Sequence, residues 1–463
     1  MRLAPRSTRP MSRRMDKKTS DARALPVPAH RLSRLGRISG MTAGIAGNMA
    51  FNGIAQLSQG QRPKMRDLLL TPRNISRVAE QLAQMRGAAM KMGQLMSMDS
   101  GEILPPELSE IMARLRNDTH FMPPQQLKQV LNTQWPADWL RAFKRFDVRP
   151  IAAASIGQVH RAQLKDGRDL AIKVQYPGVA KSIDSDVANV GALMRMSGLL
   201  PAGFDLAPYL EEARKQLHEE TDYEREGHQL EEYSRVVAGK TGFVVPKLHR
   251  DWSTQDILAM SFVDGIPIED TATLPQEDRN HIAGALIDLT LQELFDFGLM
   301  QTDPNFANYL YDPNGGKIIL LDFGATREVP TLVAEKYREL ISAGLSGARD
   351  QIEMSALSLG FFANTTPQVF ADQIVDMIAL VFEALNVRRP YDFTDNSLSL
   401  QMQEKGMALA ESGFVPPPLP MDILLLQRKL GGVFLLAKRI GARLDVVAHL
   451  ERYTQSSAQK RTA

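Results

Sequence analysis

The 463-residue sequence predicts a bilobal α+β fold: a small sheet-rich lobe with one long helix, a larger and mainly helical lobe, and a helical extension ahead of both. Three observations predict it. Strand chemistry, with alternating apolar residues and hairpin turns, is confined to the regions near 146–174 and 243–262. From Gln276 onward the apolar spacing is helical. That helical half is interrupted once, by Asp303-Pro-Asn-Phe-Ala-Asn308, the apolar run Ile318-Ile-Leu-Leu321 and Asp322-Phe-Gly324.

Thr71-Pro72 is a helix start, a capping hydroxyl followed by proline in the first turn. Val78, Leu82, Met85, Ala89, Met92 and Met96 recur at three- and four-residue spacing, so the helix runs to about Met98 with a buried stripe. Pro105-Pro106 breaks the chain, and Met122-Pro-Pro124 opens another helix. Strands begin near Phe146. The small-residue segment Pro150–His160 forms a turn between two of them, and Lys165-Asp-Gly167 is a hairpin turn leading into Ala171–Val174. One helical stretch is expected from Asp205 to about Val237, then strands over Phe243–Leu248 and Gln255–Phe262, with Asp264-Gly265 closing the sheet-rich lobe. Pro416-Pro-Pro418 separates the last helices. The expected divisions are a basic tail over 1–36, a helical extension over 37–140, the smaller lobe over 141–265 and the larger over 266–455. No internal repeat is evident.

The tail is Arg-rich and acid-poor, from Arg2 to Arg37 with only Asp16 and Asp21 opposing, and lacks an apolar run of signal-peptide type. A solvated tail, a transit peptide and an arm for anionic membranes all fit it. No charge occurs between Ile38 and Gln61. Asn48, Asn52, Gln56 and Gln59 make a polar stripe there, which argues against a stable span. Gly36, Gly40 and Gly44 permit close helix packing, in a membrane or on the domain. Net charge of +2 gives no argument for nucleic acid, and the absence of cysteine excludes disulfides and thiolate chemistry.

An Asp and an Asn four residues apart, then a strand and Asp-Phe-Gly, form the catalytic and metal-binding half of a protein-kinase-like fold. Asp303 is the candidate carboxylate that orients or deprotonates an attacking hydroxyl or water. Asn308 and Asp322 are oxygen donors suited to magnesium. Upstream, Leu170-Ala-Ile-Lys173 is a strand with a lysine for the α/β-phosphates of ATP. Glu226, on a helix face shared with Asp222, is the carboxylate chosen to orient it. Glu220 and Asp222 remain as an acidic pair that needs a cation. Ala152, Ala153, Ala154, Ser155, Gly157 and Gln158 stand where a glycine-rich lid would wrap the phosphates, and three alanines are stiffer than glycine. Met260 and Phe262, at the end of their strand, complete the expected nucleotide-contacting set. Gln301-Thr302 replaces the usual His-Arg before the catalytic Asp. Ala325–Pro330 runs into a helix with no Ala-Pro-Glu segment, which argues against phosphorylation of polypeptides in trans.

Together these strings resemble the UbiB (aarF-type) atypical kinase-like family, in its coenzyme Q branch. The resemblance is carried by Lys91-Met-Gly-Gln94, Ala152–Gln158, Ala171-Ile-Lys173, Glu220-Thr-Asp222 with Glu226, Met300-Gln-Thr-Asp-Pro-Asn305 with Asn308, Leu321–Arg327 and Arg428-Lys-Leu-Gly-Gly432. Many relatives carry His-Ala-Asp-Pro-His-Pro-Gly-Asn at the loop, and the departure here points to the coenzyme Q branch. The resemblance implies a kinase-like fold with the N-terminal extension over the active site. Lys91 and Gln94 would reach the pocket, with Lys91 paired to Glu220 and Asp222 as a gate. It implies ATPase activity with ATP and Mg2+, directed at quinone-precursor lipids or the proteins that process them, at a membrane surface. A small-molecule or lipid kinase and a non-catalytic nucleotide-sensing scaffold are the alternatives, and a homodimer is admissible. The setting is bacterial cytoplasm, peripheral to the inner membrane, or the matrix side of a mitochondrion. The run Val433–Ala437, ending at Lys438-Arg439, is too short for a tail anchor.

Overall fold

The structure, a computed structural model, describes residues 85–99, 121–154, 156–196, 205–387, 389–417 and 419–460. The basic tail, the uncharged stretch 38–61 with its glycine repeat, the helix start at Thr71, the break at Pro105-Pro106 and Ser155 lie outside the described residues, as does the Gln94 side chain. The chain divides into two compact units, Met1–Leu95 with Leu104–Thr221, and Met96–Ile103 with Asp222–Ala463.

In the first unit, helix α1 (Arg86–Asp99) buries Ala89 and Met92 of the predicted stripe, with Met85 just ahead of it, and also Ala88 and Leu95. Helix α2 (Pro124–Gln134) has proline in its first turn and buries Leu127, Val130 and Leu131. Trp135 stacks on Phe143 at 5.5 Å between ring centroids, and Trp139 meets Phe146 edge-on at 5.4 Å, joining α2 to the sheet. The sheet runs β1 (Phe143–Phe146), β3 (Gly157–Leu164), β4 (Asp169–Gln175), all antiparallel, with the short β2 (Ala152–Ala153) paired to β3. Gly167 turns β3 into β4 at φ 97°, a left-handed backbone that glycine adopts without strain. Helices α3 (Val179–Met196) and α4 (Ala207–Glu220) pack together. A Cβ on Gly191 would approach the Leu210 side chain to 2.8 Å, so a glycine there admits the close approach.

The single helix expected from Asp205 to Val237 is two helices. α4 ends at Glu220, and α5 (Tyr223–Val237) starts afresh because the Asp222 side chain accepts the Arg225 backbone N–H at 2.9 Å. An Asp that bonds its own downstream backbone caps a helix instead of continuing one.

In the second unit, α5 leads to a four-stranded sheet in the order β5 (Phe243–Val244), β10 (Lys317–Leu320), β9 (Tyr309–Asp312), β7 (Ile266–Pro267). β5 is shorter than its apolar run because Pro246 cannot donate to a ladder; Leu248 keeps a lone bridge to Met260 of β6 (Ile257–Ser261). Helix α6 (Gln276–Gln292) continues through one wide turn, Glu293–Phe297, to Gly298. Strand β8 (Leu299–Gln301) then pairs with β11 (Thr326–Glu328). The rest is helical: α7 (Thr331–Ser346), α8 (Arg349–Leu359), α9 (Gln368–Val387), α10 (Ser397–Glu411), α11 (Met421–Ile440) and α12 (Val446–Lys460), with a small ribbon of β12 (Tyr391–Asp392) and β13 (Arg443–Leu444). Leu294, Met300, Tyr337, Ile352, Val375 and Leu426 meet in one buried core. No helix among the described residues is long and apolar enough to cross a membrane.

One polar chain runs through the first unit's core. Gln158 Oε1 accepts the Met122 backbone N–H at 2.9 Å, and its Nε2 donates to His160 Nε2 at 2.8 Å. His160 Nδ1 donates to the Asp147 carbonyl at 2.8 Å, so the ring is neutral with its proton on Nδ1. Burial pushes its pKa down from 6.5 to about 4. The unfolded chain therefore binds more protons between those values, and the stability from a neutral His160 is complete above pH 6.5 and lost as pH falls toward 4. The wild-type protein should lose up to ~3 kcal/mol across that window, read from denaturant midpoints at pH 7.5, 6 and 5. His160→Gln should flatten the dependence, whatever its midpoint at neutral pH.

Candidate functional site

Within the second unit, two adjoining segments bring together Asp303, Asn308 and Asp322. Thr302 donates from both its backbone N–H (3.1 Å) and its hydroxyl (2.8 Å) to the Ala325 carbonyl. The Leu321 N–H donates to the Asn308 carbonyl at 3.0 Å. The residue before Asp303 is thus tied to one end of the Asp-Phe-Gly segment, and Asn308 to the other. Asn305 caps the short turn Phe306–Asn308 by accepting the Ala307 N–H, which shapes the loop between the two candidates.

The Asp303 carboxylate is held on both oxygens. Arg428 Nη2 meets Oδ1 at 2.7 Å, and the Asn308 amide nitrogen donates to Oδ2 at 3.3 Å and to the Asp303 carbonyl at 3.3 Å. With its nitrogen turned to Asp303, Asn308 directs its amide oxygen away as an acceptor. Asp322 Oδ1 accepts the Gly324 N–H at 2.9 Å. A Cβ on Gly324 would lie 3.6 Å from Glu226 Oε2, so the buried Glu226 carboxylate flanks this turn.

Helix α5 grips the same segment. Arg225 Nη1 donates to the Gly324 carbonyl at 3.1 Å and Gln229 Nε2 to the Thr326 carbonyl at 2.7 Å. The buried Phe323 ring packs on Tyr233 with centroids 5.1 Å apart. Residues 225, 226, 229 and 233 lie on one face of α5, by the three- and four-residue spacing of a helix.

Beneath the loop lies a buried ion pair that sequence reasoning missed. Lys429 Nζ is 3.2 Å from Glu293 Oε2, with side chains 3% and 0% exposed. Burial alone would lower the Lys429 pKa, but Glu293 and Tyr309 outweigh it and hold the amine charged. Burial, then the Glu293 carboxylate, push the Tyr233 hydroxyl well above its ordinary value, so it stays a donor. The available signal was Lys429 itself, set within the apolar stripe Leu425, Leu426, Val433 and Leu436 of α11. Arg428 was legible only as part of the resemblance.

Within the first unit, the strand register places Ala152, Val159 and Lys173 in one row, since Ala152 pairs with Val159 and Val159 with Lys173. Paired residues share a sheet face, so the Ala-rich hairpin and the candidate lysine face the same way. Ala154 N–H donates to the Gly157 carbonyl at 2.8 Å, closing the hairpin. Gln158 faces the core instead, its amide spent on Met122 and His160 and the residue wholly enclosed between β2 and β4. Lys91 is buried and pairs with Glu220 at 2.5 Å, while Gln175 Nε2 donates to the Thr221 carbonyl at 2.6 Å. α1 and β4 therefore both engage the end of α4. Glu220 is the partner that the unit provides for Lys91, and Asp222 begins the second unit as the α5 cap. Met260 is buried and Phe262 half-buried at the end of β6.

The donor chemistry fits a hard divalent cation. An amide oxygen from Asn308 and the Asp322 carboxylate are oxygen ligands, and magnesium completes such sets with phosphate oxygens and water. No cluster of three His, Cys, Asp or Glu suited to a metal occurs among the described residues, so the protein alone supplies no closed metal cage there.

Residues 114–356 match the ABC1 atypical kinase-like domain. "Atypical kinase COQ8, mitochondrial" of Saccharomyces cerevisiae is 36% identical over 430 residues, 92% of this chain and 85% of that protein. "Atypical kinase COQ8B, mitochondrial" of Danio rerio is 34% identical over 441 residues, 94% of this chain and 70% of that protein. Among solved structures, the Rv3197–erythromycin complex from Mycobacterium tuberculosis aligns with a TM-score of 0.57 at 21% identity, covering 78% of this chain and 90% of that one, a likeness of fold.

Helix α11 can approach the loop because Gly432 lacks a side chain: a Cβ there would lie 2.2 Å from the Pro304 Cβ, whereas one on Gly431 would meet nothing within 4 Å. Gly432→Ala should therefore destabilise by about 1–3 kcal/mol through overpacking. Gly431→Ala should stabilise by about 0.5–1 kcal/mol through helix propensity. Chemical denaturation of the two variants side by side checks the pair.

Proposed function

The chain belongs to the ABC1 atypical kinase-like family, with COQ8 atypical kinases among its relatives, and from that premise we propose that it is a Mg-dependent, ATP-binding ATPase supporting ubiquinone synthesis at a membrane surface. The observation that carries the reading is the arrangement of Asp303, Asn308 and Asp322, with both oxygens of Asp303 fixed. In this reading Asp303 orients the attacking water. The water oxygen bonds to the γ-phosphorus as the bond to the β–γ bridging oxygen breaks, ADP leaves, and the water proton departs toward the Asp303 carboxylate. Magnesium, held by Asn308 and Asp322, would neutralise charge on the phosphate oxygens. Lys173 is assigned to the α/β-phosphates with Glu226 as its orienting carboxylate. The Ala-rich hairpin takes the place of a glycine lid, and Met260 and Phe262 contact the base. The ubiquinone assignment rests on the string Met300–Asn308, which the sequence shares with the coenzyme Q branch, and on the COQ8 relatives. Quinone-precursor lipids, or the proteins that process them, are the proposed partners.

Lys91 is the proposed gate. Its buried bond to Glu220 engages a charge that a polypeptide substrate would have to displace, and breaking a buried pair from one side leaves the other charge uncompensated.

Asp303→Asn should lower Mg-dependent phosphate release by roughly 10²–10⁴-fold while ATP binding persists. Asp322→Asn should weaken Mg–ATP binding itself. Phosphate release and nucleotide titration, with and without vesicles carrying a prenyl phenol, measure both. Unchanged release in Asp303→Asn would favour a nucleotide-sensing scaffold.

Lys91→Ala should change ATP turnover or permit self-phosphorylation. Its check is phosphate release together with intact mass after incubation with Mg–ATP. A wild-type rate and an unmodified mass would remove the gate.

A further inference from the structure

Lys429 projects from α11 into a single connected polar group. Its ammonium meets Glu293 Oε2 at 3.2 Å, the Tyr309 hydroxyl at 3.1 Å and Gln301 Oε1 at 3.3 Å. The other Glu293 oxygen accepts the Tyr233 hydroxyl at 2.6 Å and the Gln301 backbone N–H at 3.0 Å. The group has two outlets. Through Tyr233 it reaches the Phe323 ring, next to Asp322. Through Gln301, whose side-chain nitrogen donates to the Asp303 carbonyl at 2.8 Å, it reaches the backbone that carries Asp303.

We infer that the Lys429–Glu293 pair is a positioning device for phosphoryl transfer: it sets the backbone of Asp303 against that of Asp322, and neither member touches substrate. The inference rests on the proposed reading of Asp303 and Asp322. Stability does not account for the pair, because exchanging a buried ion pair for apolar groups of like volume is often neutral or stabilising. Orientation does account for it. Glu293 Oε1 accepts from two elements, α5 through Tyr233 and β8 through the Gln301 backbone, and Oε2 faces the Lys429 ammonium of a third, α11, as an ion pair. An apolar contact would hold these elements together without fixing their rotation or register. The wide turn that begins at Glu293 supports the same role, since an extra residue in a helical turn re-aims the side chain that starts it. Arg428, one residue before Lys429, then meets Asp303 from the same helix, so one rigid element addresses both the carboxylate and its backbone.

The test uses the full-length protein with Mg–ATP. The double variant Lys429→Met with Glu293→Gln removes the ion pair without stranding a charge. Gln301→Met removes the side chain that joins Lys429 to the Asp303 carbonyl and keeps the ion pair and the Gln301 backbone bond to Glu293. A displacement near 1 Å at a reacting group costs about 10²-fold, so both variants should lose kcat by roughly 10–100-fold. The KM for ATP should stay within about threefold of wild type, since the nucleotide contacts are elsewhere. Thermal melting close to wild type shows the variants are folded. A folded double variant with wild-type kcat overturns the inference. Should the double variant not fold, wild-type kcat in Gln301→Met overturns it equally. No ATP-dependent phosphate release from the wild-type chain would instead overturn the reading of the site, and this inference with it.

Discussion

A single buried carboxylate organises the second unit. Glu293 lies at the end of α6, where the helix widens by one residue, and is wholly enclosed. An isolated carboxylate at such a depth is untenable; it persists because a lysine, a phenol and a backbone amide all converge on it. Each of those partners belongs to a different segment, so satisfying Glu293 fixes where α5, β8 and α11 stand. The loop that carries Asp303 follows β8 directly and inherits that placement.

The polar groups near the loop divide by depth. The deep layer, Lys429 with Glu293, Tyr233 and Tyr309, is directional and excluded from water. The upper layer, Arg428 with Asp303 and Asn308, is partly exposed. Two consecutive residues of α11 thereby serve two layers. A helix advances about 100° per residue, which turns Arg428 and Lys429 toward different levels of the same wall. Gly432, one turn on from Arg428, lets the helix axis come close enough to Pro304 for this to work.

The first unit solves a different problem. Its sheet presents Ala152, Val159 and Lys173 on one face while Gln158 and His160 are committed to the interior. Alternation along β3 makes the two roles compatible: neighbouring residues point to opposite faces. The Met122–Gln158–His160–Asp147 chain then fastens the segment before α2 and the β1–β2 connection to that sheet, with every polar atom in it paired. Together with the Lys91–Glu220 pair, it sets charged and amide side chains within a mainly aliphatic and aromatic core.

The amino-acid sequence by itself determined the kinase-like α+β class, the family, the Ala-rich hairpin, the Asp303–Asn308 and Asp-Phe-Gly strings, the helix start at Pro123-Pro124 and the separation of the last helices at Pro416-Pro417. These follow from causes a few residues long: alternation, turn chemistry, capping and spacing. It misjudged the stretch 205–237, where a side-chain cap at Asp222 competes with helix continuation, and overextended the strand at 243, where Pro246 removes a donor. The resemblance already paired Lys91 with Glu220, but only the tertiary structure decided which charges meet around Asp303. Arg428 and Asp303 are 125 residues apart, and Lys429 reaches Gln301 across 128. Local propensity is silent about partners at that separation, because a buried ion pair exists only once packing has excluded water around both of its members.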